Sequence, residues 1–260
     1  MAGAFEWIAL VSAVCLFAGM LLLAEVGRRM AAARRASDPE GAGKGGGAAE
    51  AGVFGLLGLL IAFTFSGAAL RFEDRRHLIS DEANAIGTAY LRLDLLPDDA
   101  QAAIRDLFRK YADLRATAYG DADLQAASRR LSDGAALQGE IWAKAWAACR
   151  RPDAPAQAAM LLLPAVNEMI DITTTRATAT ENHPPAVVFL LLGGLCLIGA
   201  LLVGYGTAPD QSRSWFHPVI FAAVLSVTVY VIIDVEFPRL GLIRVDAADH
   251  VLLDLRKSMQ

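Results

Sequence analysis

Carboxylate and amide side chains lie close together at two places in this sequence, and they are its best candidates for chemistry. Such groups bind cations, transfer protons or join helices through hydrogen bonds. Both places have helical spacing, and buried polar groups need hydrogen-bond partners. We therefore expect a structural polar network between two helices rather than ion binding or catalysis. Its predicted members are Asp81, Glu82, Asn84, Asn167, Glu168 and Asp171.

The sequence lacks other motifs for catalysis or cofactor binding. The glycine-rich stretch around Lys44 has Gly45 where a phosphate-binding loop needs Ser or Thr, and no strand pattern precedes it. The four histidines show no metal-ligand spacing. Asp234 and Glu236 form an acidic pair, but a calcium cage needs about six or more oxygen ligands. We expect a protein that is not an enzyme and that binds no metal and no cofactor.

The composition indicates a membrane protein with a substantial polar part. Of 260 residues, 55% are hydrophobic and 20% are charged, and the mean hydropathy is +0.39. Four stretches without a charged residue are long enough to cross a hydrocarbon core of about 30 Å. These stretches are residues 7–24, 51–70, 184–209 and 214–233.

We predict an all-α membrane protein with four transmembrane helices and a helical soluble domain inserted between the second and the third. The order along the chain is a first transmembrane helix in residues 1–27, a basic Gly-rich linker in 28–50, a second transmembrane helix in 51–70, the soluble domain in 71–183, transmembrane helices in 184–209 and 214–233, and a C-terminal segment in 234–260. Within the soluble domain, apolar spacing and prolines predict helices starting after Pro97, over about 121–151, where 132–134 is a candidate break, and over about 156–180. The C-terminal segment is compatible with a strand or a helix.

No helix breaker separates the second transmembrane helix from the polar sequence that follows, so we predict one helix of about 45 residues and about 65 Å. Its apolar stripe continues beyond the membrane through Ile79, Ala83, Ile86, Tyr90 and Leu93. Within the membrane segment, small side chains form one face, made of Gly55, Gly58, Ala62, Ser66 and Ala69. Bulky side chains form another face, made of Leu56, Leu59, Phe63 and Leu70. Small faces allow close helix packing in lipid, whereas a bulky face contacts lipid, packs on another helix or lines a constriction.

The charge distribution argues against nucleic acid as a partner but leaves the membrane orientation open. The formal net charge is −4 and the sequence pI is about 5.6. A basic loop between the first two transmembrane helices favours a cytoplasmic loop and an outward soluble domain. Arg71, Arg75 and Arg76, just after the second transmembrane helix, favour the opposite orientation.

Several segments resemble known families. Arg71, Phe72 and Arg76, following an apolar helix, are similar to the R-F-x-x-x-R segment after the second transmembrane helix of bacterial bestrophins. More of the chain resembles the bacterial bestrophin-like family of unknown function. The matching segments are EANAIGTAYLRLDLLP at 82–97, P-x-x-NEMID at 164–171, His183-x-Pro185, and Asp234, Pro238 and Gly241 in D-x-x-x-P-x-x-G.

The resemblance implies a homo-oligomeric anion channel, of the chloride type, that crosses the cell (inner) membrane several times. Membrane lipid and inorganic anions would then be its partners. The pore constriction would consist of Leu56, Leu59, Phe63 and Ser66, and the pore mouth of Arg71, Arg75 and Arg76. Bestrophins place the domain after the second helix in the cytoplasm. The alternative function is a membrane-embedded sensor or scaffold whose helical domain binds a partner.

Overall fold

The computed structural model describes residues 2–37, 47–117, 124–207, 215–238 and 241–259, and these residues form helices and short connections without any strand. The α-helices are α1 (Ala2–Ser37), α2 (Gly47–Leu91), α3 (Asp98–Thr117), α4 (Leu124–Cys149), α5 (Ala156–Glu181), α6 (Ala186–Gly206), α7 (Phe216–Glu236) and α8 (Asp246–Ser258), with a 3₁₀ helix at Arg92–Leu95. Among the described residues, four segments are long and apolar enough to cross a membrane: Ala9–Ser37, Gly47–Leu95, Ala156–Gly206 and Phe216–Glu236. The prediction of an all-helical protein with four candidate transmembrane helices is thereby confirmed.

Prolines set the ends of several helices. Leu96 is extended, with φ −89° and ψ 158°, because the ring of Pro97 disfavours helical geometry in the residue before it. Pro155 and Pro185 are extended as well and immediately precede α5 and α6. α2 has no proline, and it runs for 45 residues, or about 68 Å, without a break.

The structure corrects two sequence-based predictions, for α1 and α4, and decides the secondary structure of the C-terminal segment. α1 continues to Ser37, well into the predicted linker, and residues 38–46 of that linker lie outside the described residues. α4 does not break at 132–134, because Gly134 is a packing residue: a Cβ there would lie 3.3 Å from the Leu114 side chain of α3. The C-terminal segment contains a helix, α8. Residues 208–214, around the predicted end of the third transmembrane helix and start of the fourth, are not described.

The chain forms two compact units. The apolar unit comprises Ala2–Leu70 and His183–Ile243, and in it α1 packs on α6 and α7. At the crossing of α1 and α6, two glycines allow the backbones to touch: a Cβ on Gly204 would overlap the carbonyl of Ala24, and one on Gly27 would overlap the carbonyl of Leu201. Such small residues are typical of helix packing in membranes, where close van der Waals contact drives association.

The polar unit comprises Arg71–Asn182 and Arg244–Gln260, and it has its own hydrophobic core. α3 packs on α4 and α8, and α4 packs on α5. The predicted stripe of α2 is confirmed, since Ile79, Ala83, Ile86, Tyr90 and Leu93 are all buried. Phe108 and Tyr111 of α3 are also buried, and Phe108 meets Tyr90 edge to face at 6.0 Å.

Candidate functional site

The part of α2 that belongs to the apolar unit leaves its bulky side chains uncovered. Leu56, Leu59 and Phe63 are 53%, 51% and 67% exposed, and Ser66 is also exposed. Leu57, one residue after Leu56, is only 3% exposed because it lies about 100° further around the helix, on the side that packs within the chain. All four predicted constriction residues therefore lie on the side of α2 that the chain itself does not cover.

The small side chains of α2 lie on the same uncovered side. Gly55, Gly58 and Ala62 are exposed, and a Cβ on either glycine would meet no atom within 4 Å. In contrast to Gly204 and Gly27, these glycines contact no other helix among the residues that the structure describes. The space beside them is open to lipid or to another protein molecule.

Aromatic and aliphatic contacts fix the rotation of α2 about its axis within the apolar unit. Phe54 meets Phe221 of α7 edge to face, with ring centroids 5.9 Å apart. A Cβ on Gly199 of α6 would lie 3.4 Å from Phe54 and 3.6 Å from Leu57. Because this side of α2 packs against α6 and α7, the side that bears Phe63 faces outward.

The three arginines after the apolar part of α2 have different environments. Arg75 is buried; its Nε donates to the carbonyl of Ala179 and its Nη2 to that of Asn182, both at 3.0 Å. These carbonyls end α5, where a positive charge is favourable. Arg71 is half-buried, and Arg76 is exposed and pairs with Glu73 at 3.0 Å. Of the predicted mouth residues, Arg75 thus holds the end of a helix, and Arg71 and Arg76 are less buried.

Glu82 is the one member of the predicted polar network that lies in the core. Its side chain is fully buried and accepts hydrogen bonds from Arg115 of α3 and Arg176 of α5, which are 3% and 5% exposed. Glu82 therefore joins α2, α3 and α5.

The other predicted members lie at the surface of the polar unit. Asp81 and Asn84 are exposed because they point away from the direction of Glu82, by about 100° and 200° around α2. Asn167 donates to Asp171 within α5, at 2.7 Å, and both are exposed, as Glu168 is. The structure thus brings Glu82 to arginines that the sequence analysis did not select, and not to the amides of α5.

The spacing of apolar residues could have identified these arginines. Arg115 follows Phe108 and Tyr111 on the buried face of α3, and Arg176 follows Met169 by two helical turns on the buried face of α5. A charged residue at a core position indicates a buried partner of opposite charge.

The acidic pair after the fourth apolar segment is held within the apolar unit. The Asp234 carboxylate accepts from the backbone N–H groups of Leu242 and Ile243, at 2.9 and 2.8 Å. Gly241 is required beside it because a Cβ there would overlap the carboxylate. Asp234, near the end of α7, therefore holds the backbone that follows Gly241.

Glu236 is fully buried beside His183. Nδ1 of His183 lies 2.9 Å from Oε1 of Glu236, and the imidazole stacks on Phe237 with ring centroids 4.4 Å apart. This contact joins the segment that precedes α6 to the end of α7. Both acids thus have structural partners.

An exposed ion-pair cluster fixes the connection between α4 and α5. Arg151 donates to Asp99 at 2.6 Å and to Asp153 at 2.7 Å. These hydrogen bonds lower the pKa of both carboxyl groups and raise that of the guanidinium. Solvent screens such pairs, so their role is to tie the loop to the start of α3.

Within the described part of the chain, no group of three or more His, Cys, Asp or Glu side chains is arranged to hold a metal ion. The features that distinguish this molecule are the uncovered apolar side of α2 and the charged positions that follow it.

Comparison with known proteins gives two results. The sequence matches the bestrophin-like domain over residues 14–249, whereas no curated protein matches it. Among solved structures, the chain is similar to a bacterial bestrophin homologue from Klebsiella pneumoniae. A tyrosine-to-alanine variant of that protein has 14% identity and a TM-score of 0.68, with 92% of this chain and 98% of that chain covered. A tryptophan-to-alanine variant has 14% identity and a TM-score of 0.69, with 96% and 98% covered. At this identity, the similarity establishes a shared fold.

Proposed function

The chain belongs to the bestrophin-like family and is a membrane protein, and from this premise we propose that it forms a homo-oligomeric channel for inorganic anions. In the proposed topology it crosses the cell (inner) membrane four times, with α3, α4 and α5 inserted between the second and third crossings. Chloride is the first permeant ion to test.

The uncovered apolar side of α2 carries this proposal. Only 11% of the apolar stretch that begins in α2 is buried within the chain, compared with 44% for that of Phe216–Glu236. A helix that packs so little on its own chain is suited to face lipid, a water-filled axis or neighbouring copies. The small residues beside Leu56 and Leu59 favour close approach of another helix.

The proposed constriction is formed by Leu56, Leu59, Phe63 and Ser66. These residues are spaced by three or four positions, so they follow one line along the exposed side of α2. When several copies surround an axis, three rings of bulky apolar side chains and one hydroxyl ring would line it. Apolar constrictions of this kind control ion flow by dewetting.

The proposed mouth lies at the polar end of this line. Arg71 and Arg76 repeated around an axis would raise the local concentration of anions, because their fields add in a confined space. Arg75 contributes indirectly by fixing the end of α5 against α2. Its guanidinium is a positioning group.

The decisive experiment is single-channel recording of chloride current from the purified full chain in planar bilayers. Phe63→Ala removes the largest proposed constriction side chain, so it should give a severalfold larger chloride current than the native sequence. Phe216→Ala is the matched control, since Phe216 is 66% exposed but lies on α7. It should leave the current unchanged. Well-folded oligomers without current, or equal effects of the two substitutions, would refute the channel.

A membrane-embedded sensor or scaffold is the second candidate, and exposed apolar side chains on the polar unit favour it. Leu91 is 68% exposed, Met160 is 77% exposed and Leu161 is 44% exposed. Leu161 is close to the end of α2, since Arg92 donates to its carbonyl at 2.6 Å. A partner protein or a neighbouring copy could cover these side chains. The oligomeric state in detergent separates the two functions, because a monomer cannot build a shared axis.

A further inference from the structure

A cleft of about 490 Å³ in the polar unit presents a group of hydrogen-bond donors, of which the channel proposal uses only Arg76. Arg76, His77 and Ser80 line it from α2, where their spacing places them on one helical face. Arg244 lines it from the segment that leads into α8. Four side chains from two parts of the sequence thus surround one space.

Basic residues outnumber acidic residues in the lining of the cleft. Its lining includes two arginines and one acid, Glu73, which pairs with Arg76 at 3.0 Å. Arg244 adds a second guanidinium, and His77 and Ser80 add further hydrogen-bond donors. An anion with several oxygen acceptors would fit this set of donors, because the planar guanidinium fork matches phosphate bidentately.

Apolar walls accompany the donors. Phe72 of α2 lines the cleft, and Val245 and Val251 line it from the C-terminal segment. A bare phosphate ion would leave these walls uncovered, so the lining fits a phosphate attached to an organic group.

The position along α2 agrees with a ligand at the membrane surface. Phe72 comes two residues after Leu70, where the predicted membrane segment ends, and Arg76 lies about 9 Å beyond Leu70 along the helix. Polar headgroup layers are roughly 5–8 Å thick on each side of the hydrocarbon core. Phe72 thus lies at headgroup depth, and Arg76 lies just beyond it.

We propose that this cleft binds a phosphate group, either of an anionic lipid headgroup or of a soluble organic phosphate. The site is separate from the proposed constriction, shares Arg76 with the proposed mouth, and does not depend on ion conduction. Occupation would connect the α2 segment after the membrane to the segment that starts α8.

The test uses two arms with the purified, delipidated full chain. In the first arm, inorganic phosphate is titrated in detergent at constant ionic strength and its Kd is obtained from the rise in Tm. In the second, the protein is reconstituted in phosphatidylcholine with or without phosphatidylglycerol, and retained lipid is counted by native mass spectrometry. Binding in the first arm alone identifies a soluble phosphate, and binding in the second alone identifies a lipid.

Arg244→Gln is the main variant because Arg244 is not part of the proposed pore. Losing one charged hydrogen-bond partner should weaken binding about tenfold. Arg129→Gln, at an exposed arginine of α4, makes the same change in net charge and should leave binding intact. His77→Gln, at an exposed residue, serves if Arg244→Gln does not fold, and should weaken binding severalfold. Absence of binding in both arms, or an equal loss with Arg129→Gln, would overturn the proposal.

Discussion

The Glu82 carboxylate is surrounded by two guanidinium groups in a part of the core that excludes water. Taking each ion out of water costs several kcal/mol, and the hydrogen bonds from Arg115 and Arg176 offset that cost. Because the three residues come from α2, α3 and α5, this balance depends on the correct packing of all three helices. The carboxylate is thus a stability determinant of the polar unit.

Replacement of Glu82 by Gln should be strongly destabilising. Gln keeps the size of the side chain but removes the negative charge, which leaves two positive charges facing each other in the core. We expect the free energy of unfolding to fall by about 3–5 kcal/mol. The measurement is denaturant unfolding of the purified full chain in detergent.

Glu73→Gln is the control for that substitution, because Glu73 pairs with Arg76 at the surface, with about half of each side chain exposed. It should change the free energy of unfolding by less than about 1 kcal/mol. If both substitutions had the same effect, Glu82 would not have the buried role assigned to it.

At the scale of elements, proline positions and apolar spacing predicted most of what is observed. The long helix α2, the start of α3 after Pro97 and the buried stripe from Ile79 to Leu93 all follow from local sequence. The candidate break at 132–134 was wrong because a glycine inside a helix can either weaken the helix or allow close packing of a neighbouring helix. Gly134 allows close packing, and its contact with Leu114 of α3 is visible only in the structure. The partners of Glu82 were missed for a similar reason, since they lie 33 and 94 residues away along the chain.

The crossing of α1 and α6 is the element contact most sensitive to a single methyl group. Gly204→Ala would place a Cβ on the carbonyl of Ala24, and two helix backbones would have to separate to accommodate it. Overpacking of this kind costs about 1–3 kcal/mol or more, so the thermal unfolding temperature of the full chain should fall by several degrees.

Gly193→Ala provides a control within the same helix. A Cβ on Gly193 would meet no atom within 4 Å, and Ala is favoured over Gly in a helix by up to about 1 kcal/mol. This variant should therefore be as stable as the native chain or slightly more stable. A loss of stability at position 193 that matched that at 204 would contradict the proposed contact.

At the scale of the whole molecule, one chain leaves the bulky and small faces of α2 uncovered. The sequence alone does not identify the lipid or protein that covers them. Periodicity identified both faces, but lipid contact, helix packing and a pore lining produce the same pattern. The proposed constriction is accordingly a prediction about an assembly. Its physical test must report on the distance between copies.

Cysteine cross-linking measures that distance, because a residue close to a symmetry axis is also close to its own copies. In a chain whose Cys15, Cys149 and Cys196 are replaced by Ala, Leu59→Cys should give covalent dimers on oxidation in membranes. Disulfides require Cα atoms within about 7 Å, so only positions facing the axis or an adjacent copy can react. Leu57→Cys is the matched control, since Leu57 packs near Gly199 inside its own chain and should remain monomeric. Dimers from Leu57→Cys, or none from Leu59→Cys in a stable oligomer, would place the exposed side of α2 away from the axis and favour a lipid-facing helix.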